Sequence, residues 1–137
     1  MSDAADGESG VVTVFLRNGP DVLLLRRSEA VGSYPGRWGG VAGHAEGDPE
    51  GMAREEVREE TGLDPGDLSF VRRGESFPVA DPEHGTWRVN PFLFDCPTRE
   101  VTTNEETVEH EWTQPTALLD RETVPRLWES YRRVAPT

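Results

Sequence analysis

Past a small, acidic opening stretch from Met1 to Gly10, two apolar runs follow, Val11-Val12-Thr13-Val14-Phe15-Leu16 and Val22-Leu23-Leu24-Leu25, separated by Asn18-Gly19-Pro20-Asp21. β-branched and aromatic runs around such a breaker predict strand, turn, strand. The glycine-rich segment Ser33 to Gly43 reads as loop or short strand. Asp48-Pro49-Glu50 then supplies an N-cap carboxylate and a proline suited to the first helical turn, predicting a helix from Pro49 to Thr61 that Gly62 ends. Leu68 to Ser76 and Thr86 to Asp95 read as strands joined through Pro82-Glu83-His84-Gly85, and Glu109 to Thr113 as a short strand. Val124, Leu127, Trp128 and Tyr131 recur at helical spacing, predicting a helix over Val124 to Val134. Strands interspersed with two helices imply an α/β or α+β domain.

With 137 residues, 34% of them hydrophobic, the chain suffices for one core, expected over residues 11–137 behind a flexible acidic tail, 1–10. No stretch approaches the ~20 apolar residues of a membrane span, and the start is acidic where a signal peptide would be basic. The expected location is the cytoplasm, with no membrane partner. The single cysteine, Cys96, reads as a small buried hydrophobe, which excludes disulfide scaffolds and zinc ribbons. Twenty-six acidic against 14 basic residues give a net charge of −12, and every basic residue is arginine. Such a surface disfavours nucleic-acid binding, which needs clustered positive charge. The same acidic, lysine-free composition resembles proteins of halophiles, whose molar cytoplasmic salt screens charge repulsion over ~3 Å at 1 M.

The predicted first helix carries Arg54-Glu55-Glu56-Val57-Arg58-Glu59-Glu60. At about 100° per residue, Glu56, Glu59 and Glu60 share one side, with Glu55 beside Glu59. Glu55 with Glu59, and Glu56 with Glu60, are like-charge pairs at i,i+4, each destabilising by ~0.2–0.5 kcal/mol, whereas a helix charged for stability alternates signs. Clustered carboxylates suit a hard divalent cation such as magnesium. On spacing alone the face is either a cation site or a solvated surface.

Glu56-Val57-Arg58-Glu59-Glu60-Thr61-Gly62-Leu63 resembles the second half of the Nudix box, G-x5-E-x7-R-E-U-x-E-E-x-G-U with U aliphatic. Upstream, Trp38-Gly39-Gly40-Val41-Ala42-Gly43-His44-Ala45-Glu46 resembles the strand and glycine loop that open that box, and Arg26-Arg27 ends an apolar strand as in the family. Trp112-Thr113-Gln114-Pro115 resembles the family's W-x-x-P ending. The resemblance implies the Nudix fold, a mixed β-sheet sandwiched between helices. It also implies a MutT-like pyrophosphohydrolase in which water attacks a phosphorus of a small nucleoside-diphosphate-linked compound, with Mg²⁺ or Mn²⁺ as cofactor. On that reading Glu56, Glu59 and Glu60 are metal ligands and catalytic residues, the Gly43 carbonyl is a further ligand, and Glu106 takes the place of a later metal-binding glutamate. The plainer reading of Glu106 is an exposed loop carboxylate. Arg26, Arg27, Arg37, Arg88, His44 and the stacking candidate Trp38 are the substrate-binding expectations, with Trp87 and Phe92 as further stacking candidates, while His84 and His110 read as turn and strand-edge residues.

The likeness has departures. Counting back from Gly62, the box arginine position holds Glu55, the earlier glutamate position holds Gly47, and Gly43 lies two residues closer to the helix than the pattern requires. In the family that arginine braces the loop against the helix, so turnover is expected to be weakened unless Arg54, through Glu46 or Glu50, rebuilds the brace one residue displaced. The alternative is a catalytically weak Nudix-fold nucleotide-binding or regulatory module. Gly32 to Trp38 and Pro125 to Tyr131 also resemble haloarchaeal proteins in which a Nudix domain precedes an initiation-factor- and ribose-bisphosphate-isomerase-like domain, so the chain is read as a candidate front part of a longer protein, and a homodimer is left open.

Overall fold

The computed structural model describes residues 8–136. Eight strands form one mixed sheet: β1 (Glu8–Asn18), β2 (Asp21–Arg27), β3 (Trp38–Gly39), β4 (Val41–His44), β5 (Ser69–Arg73), β6 (Phe77–Asp81), β7 (Gly85–Asp95) and β8 (Thr107–Thr113). Two helices flank it, α1 (Pro49–Thr61) and α2 (Leu127–Arg132), with short 3-10 turns at Pro65–Asp67 and Pro115–Asp120. The long strands β1 and β7 run parallel as a spine, in register from Glu8 opposite Thr86 to Arg17 opposite Asp95. Shorter strands share the outer edges of this spine. Along β1, β4 pairs with Val11–Val14 and β2 with Arg17 and Asn18; along β7, β6 pairs with one half and β5 with the other.

Alternation along the strands sorts the core into two layers, because successive side chains leave a strand on opposite faces. Val12, Val14 and Leu16 of β1 join Leu23, Leu25, Phe92 and Phe94 under Ala53 and Val57 of α1. Phe15, Leu24 and Leu93 face the other way, against Leu118, Leu127 and Val134. Cys96 is buried in the first layer, as its hydrophobic character suggests.

Helix α1 has the expected bounds. Asp48 accepts from the Glu50 and Gly51 amides at 3.3 and 3.1 Å, and Gly62 closes the other end at φ +74°. Three expectations need correction. Strand β1 starts at Glu8, not Val11, so the expected tail boundary at residue 10 falls inside a strand, while residues 1–7 lie outside the described residues. The single strand expected over Leu68–Ser76 is split: β5 ends at Arg73, and Phe77–Asp81 forms a separate strand despite Pro78. Pro78 is tolerated because β6 pairs only with β7, so its missing N–H leaves no second ladder incomplete. The last helix is shorter than Val124–Val134, since Arg126 adopts a left-handed conformation at φ +58°, donates to the Pro78 carbonyl at 3.2 Å and lies 5.0 Å over the Phe77 ring. Among the described residues no helix is long and apolar enough to cross a membrane.

Candidate active site

The cleft lies where β4 meets α1. Glu56, Glu59 and Glu60 line it from the helix, Gly43 and His44 from β4, Arg27 from the end of β2, and Glu106 from the loop before β8. A Cβ at Gly43 would stand 2.2 Å from the Glu56 carboxyl carbon, so glycine at this position leaves the Glu56 carboxylate its place in the cleft against β4. Asn104 Nδ2 donates to the Glu59 carbonyl at 3.1 Å, and its Oδ1 accepts from the Glu106 amide at 2.9 Å, which ties the loop bearing Glu106 to the helix. No short-range pattern in the sequence marks Asn104 for that part.

The three glutamates differ sharply. Glu60 is 7% exposed, and its Oε2 is buried with no hydrogen-bond partner among the described residues. Burial above all, then the adjacent Glu56 carboxylate, pushes its pKa up to about 10, with the Ala42 amide pulling weakly the other way. Glu59 is also raised, first by Glu55 and then by Glu56, while Arg58 opposes the rise. Glu55 points to Arg58, which pairs with it on the open side of the helix and holds its pKa below the ordinary value. As the side chains stand, no three His, Cys, Asp or Glu residues among those described are arranged to hold an ion. The donor set nevertheless fits a hard cation: a carboxylate oxygen buried without a partner, beside a second carboxylate that raises it, is the arrangement a divalent cation would satisfy.

Arg27 is the cation of the cleft. Its Nε donates to the Ser33 carbonyl at 2.8 Å and its Nη2 to the Ser33 hydroxyl at 3.0 Å. Burial lowers its pKa, against the pull of Glu60 and Glu106. Arg26, one residue earlier and on the opposite face, turns away to Glu109 (2.9 Å) and the Gly36 carbonyl. Arg37 donates to the Thr123 carbonyl and lies over the Tyr34 ring, and Arg88 donates to the Ser76 hydroxyl. Trp38 packs in the second core layer beneath Arg121, and Phe92 is fully buried in the first. The fold therefore brings Arg27 and His44 to the glutamates but not Arg26, Arg37, Trp38 or Arg88.

Two residues read from sequence in lesser roles also line the cleft, Trp87 and His84. An apolar cavity of about 180 Å³ opens beside it, walled by Val11, Val79, Val89 and Leu127 and sharing Arg27, Gly43, His44 and Trp87 with it. Tyr34 lines this cavity at φ +49°, a backbone conformation seldom adopted by a bulky residue.

The brace expected of Arg54 is half present. Arg54 bonds Glu50 at 3.1 Å, but its Nη1 reaches the Pro65 carbonyl and its guanidinium lies 4.8 Å over Phe94, so it ties α1 to the turn behind it, not to the glycine loop.

Comparison with known proteins agrees with this architecture. The NUDIX domain family matches residues 8–134. The sequence matches none of the curated proteins. Among solved structures, a Nudix hydrolase from M. smegmatis, RenU, superposes with a TM-score of 0.77 at 22% identity, covering 94% of this chain and 88% of its own. A C. elegans Ap4A hydrolase gives 0.75 at 17% identity, with 91% and 93% covered, and the MutT protein of Methanosarcina mazei Go1 gives 0.71 at 24%, with 93% and 92% covered. At these identities the structural likenesses establish the fold.

Proposed function

The chain belongs to the NUDIX family of pyrophosphohydrolases, and on that premise we propose that it cleaves the diphosphate of a small nucleoside-diphosphate-linked compound with Mg²⁺ or Mn²⁺. The observation that carries this reading is Glu60, whose buried, partnerless oxygen lies in a cleft shared with Glu56, Glu59 and Arg27. Glu56, Glu59 and Glu60 would hold the cation, with the Gly43 carbonyl and Glu106 as further ligands. Bound there, it would neutralise diphosphate oxygens and acidify water. Water attacks one phosphorus, its proton passes to one of the glutamates, and the bond from that phosphorus to the bridging oxygen breaks. Arg27, with Nε and Nη2 held by Ser33, keeps Nη1 for a phosphate oxygen, and its rigid placement lowers the cost of orienting the substrate. His44 is the second phosphate contact. The net charge of −12 and the absence of lysine support work in a salt-rich cytoplasm.

The test is a panel of nucleoside diphosphate sugars, dinucleoside polyphosphates and nucleoside triphosphates, assayed with Mg²⁺ or Mn²⁺ in concentrated KCl. Metal-dependent release of a nucleoside monophosphate, abolished in Glu59→Gln, is the expected result. One observation favours a second reading, a nucleotide-binding or regulatory module: Glu55 stands at the box arginine position and Arg54 does not reach the glycine loop. Nucleotide binding without turnover across the whole panel would favour that module, and with it a place at the front of a longer protein.

A further inference from the structure

We propose that Asp81 is a positioning residue that holds His84 and Trp87, with Tyr34 beside them, as one rigid wall of the cleft where substrate is recognised. The proposal rests on the nucleotide-binding cleft described above and assigns it a recognition element outside the Nudix box.

The two oxygens of Asp81 have separate tasks. Oδ1 accepts from the Glu83 and His84 amides at 2.8 and 3.3 Å, which caps the turn between β6 and β7. Oδ2 takes no part in that cap. It accepts from Trp87 Nε1 and pairs with His84 Nδ1, each at 3.0 Å. An aspartate needed only for the turn would use Oδ1 alone and leave Oδ2 in water, yet the Asp81 side chain is 4% exposed. The indole bond, the largest of several hydrogen bonds, holds the Asp81 pKa well below the usual carboxylate range. Tyr34 lines the adjoining apolar cavity together with Trp87, and its phenol is raised, first by burial and then by the Asp81 carboxylate.

This group stands where a substrate would pass. His84 and Trp87 line the cleft together with Glu56, Glu59 and Glu60. Trp87 and Tyr34 also line the adjoining apolar cavity, so the indole occupies the junction between the acidic and apolar ends. Its ring neighbours two imidazoles, with centroids 5.8 Å from His44 and 6.0 Å from His84. An ionised carboxylate can only accept, so it fixes the proton of His84 on Nδ1 and leaves Nε2 for a ligand, as acceptor when neutral and as second donor when protonated. The wall thus offers an imidazole nitrogen to the phosphate chain and an indole face to the planar group attached to it. The hairpin of β6 and β7 creates this group: His84 lies in its turn, as it reads from sequence, and Trp87 follows six residues after Asp81.

The decisive variant is Asp81→Asn. Asparagine keeps an oxygen for the turn but sets an amide NH₂ against two donors, the indole N–H and the imidazole Nδ1–H, so the cap survives while the wall loosens. Calorimetric titration with α,β-methylene-ADP and Mg²⁺, whose bridging carbon resists hydrolysis, reads the wall without turnover. Affinity is expected to fall about tenfold in Asp81→Asn, the scale of one charge-assisted hydrogen bond. KM on the best panel substrate is expected to rise by the same factor while kcat changes little. His84→Ala combined with Asp81→Asn should lose no more than the worse single variant, because both break one unit. Unchanged affinity and KM in Asp81→Asn, with only a lowered thermal midpoint, would overturn the proposal and leave the hydrolase reading standing. Parent binding that is lost in Asp81→Asn, with no turnover of any panel compound, would support the wall and overturn the hydrolase.

Discussion

Glu60 and Asp81 are both 7% exposed, yet their carboxyls are held in opposite states. Glu60 has an oxygen with no partner among the described residues, and desolvation pushes its pKa up to about 10. Asp81 is surrounded by donors on two elements and is held below the carboxylate range. Equal loss of water therefore does not set charge; the supply of donors does. One end of the cleft is left incomplete in a way a divalent cation would complete. The other is already complete within the chain and is rigid for that reason.

The sharpest way to break this comparison is to remove the charge at the incomplete end. Glu60→Gln and Glu56→Gln are each expected to lower turnover at least about a hundredfold, since even slight misplacement of catalytic groups costs that much. Glu60→Gln should not lower the thermal midpoint of the metal-free protein, because burial already favours an uncharged carboxyl there, which the amide matches in size and charge. Added Mg²⁺ should raise the parent midpoint, by about 2.7 kcal/mol in stability at one hundred times its Kd, but not that of Glu60→Gln. Equal stabilisation of both proteins by Mg²⁺ would show that Glu60 is not part of the cation site. Gly43→Ala follows in size. Its Cβ would meet the Glu56 carboxyl carbon at 2.2 Å, so the Glu56 carboxylate must shift from its place, and turnover should fall by about ten- to a hundredfold with secondary structure by circular dichroism unchanged.

The two ends also differ in how far the sequence reveals them. Glu56, Glu59 and Glu60 lie on one helix whose Asp48 cap and Gly62 stop are local signals, so their common face follows from 3.6 residues per turn. Arg27 and His44 flank recognisable patterns and do reach the cleft. Arg26, Arg37 and Arg88 carry the same charge in equally plausible places and do not, because strand alternation and partners such as Glu109, Thr123 and Ser76 are set by tertiary pairing. Asn104 is illegible for the same reason, since it acts on the Glu59 carbonyl, 45 residues away. Asp81 and His84 are near neighbours in one hairpin, but Pro78 hides the strand that carries Asp81.

Opposite pKa shifts imply opposite pH dependence of stability. Asp81 is depressed, so its contribution is present above its unfolded value, 3.8, and is lost as pH falls through its lower folded value. Glu60 is raised, so in the metal-free protein stability is full below 4.5 and declines as pH rises toward about 10. Urea midpoints across this range, in concentrated KCl, should therefore show Asp81→Asn removing part of the acid-side loss and Glu60→Gln flattening the alkaline-side decline. A parallel displacement of either variant at every pH would mean that the group does not titrate differently on folding.

The smallest expected effects concern the departures from the Nudix box, and they decide whether those departures touch the incomplete end at all. Glu55 is 43% exposed and pairs with Arg58, itself 53% exposed, so this is a solvent-screened surface ion pair that adds little to stability. It nonetheless adds negative charge beside Glu59 and raises that carboxylate. Removing the charge in Glu55→Gln, or reversing it in Glu55→Arg, should lower the Glu59 pKa and draw Arg58 toward Glu59, which already lies 3.8 Å from it. The gain in turnover is expected to stay within about threefold, because the charges involved face water and are screened. Arg54 is the better buried of the two, bonded to Glu50 and the Pro65 carbonyl and stacked on Phe94. Arg54→Ala should cost about 1 kcal/mol of stability, the worth of one such hydrogen bond, yet leave KM unchanged, because every one of those partners lies away from the glycine loop. A large loss of turnover in Arg54→Ala at unchanged stability would show instead that this arginine braces the cation end from its displaced position.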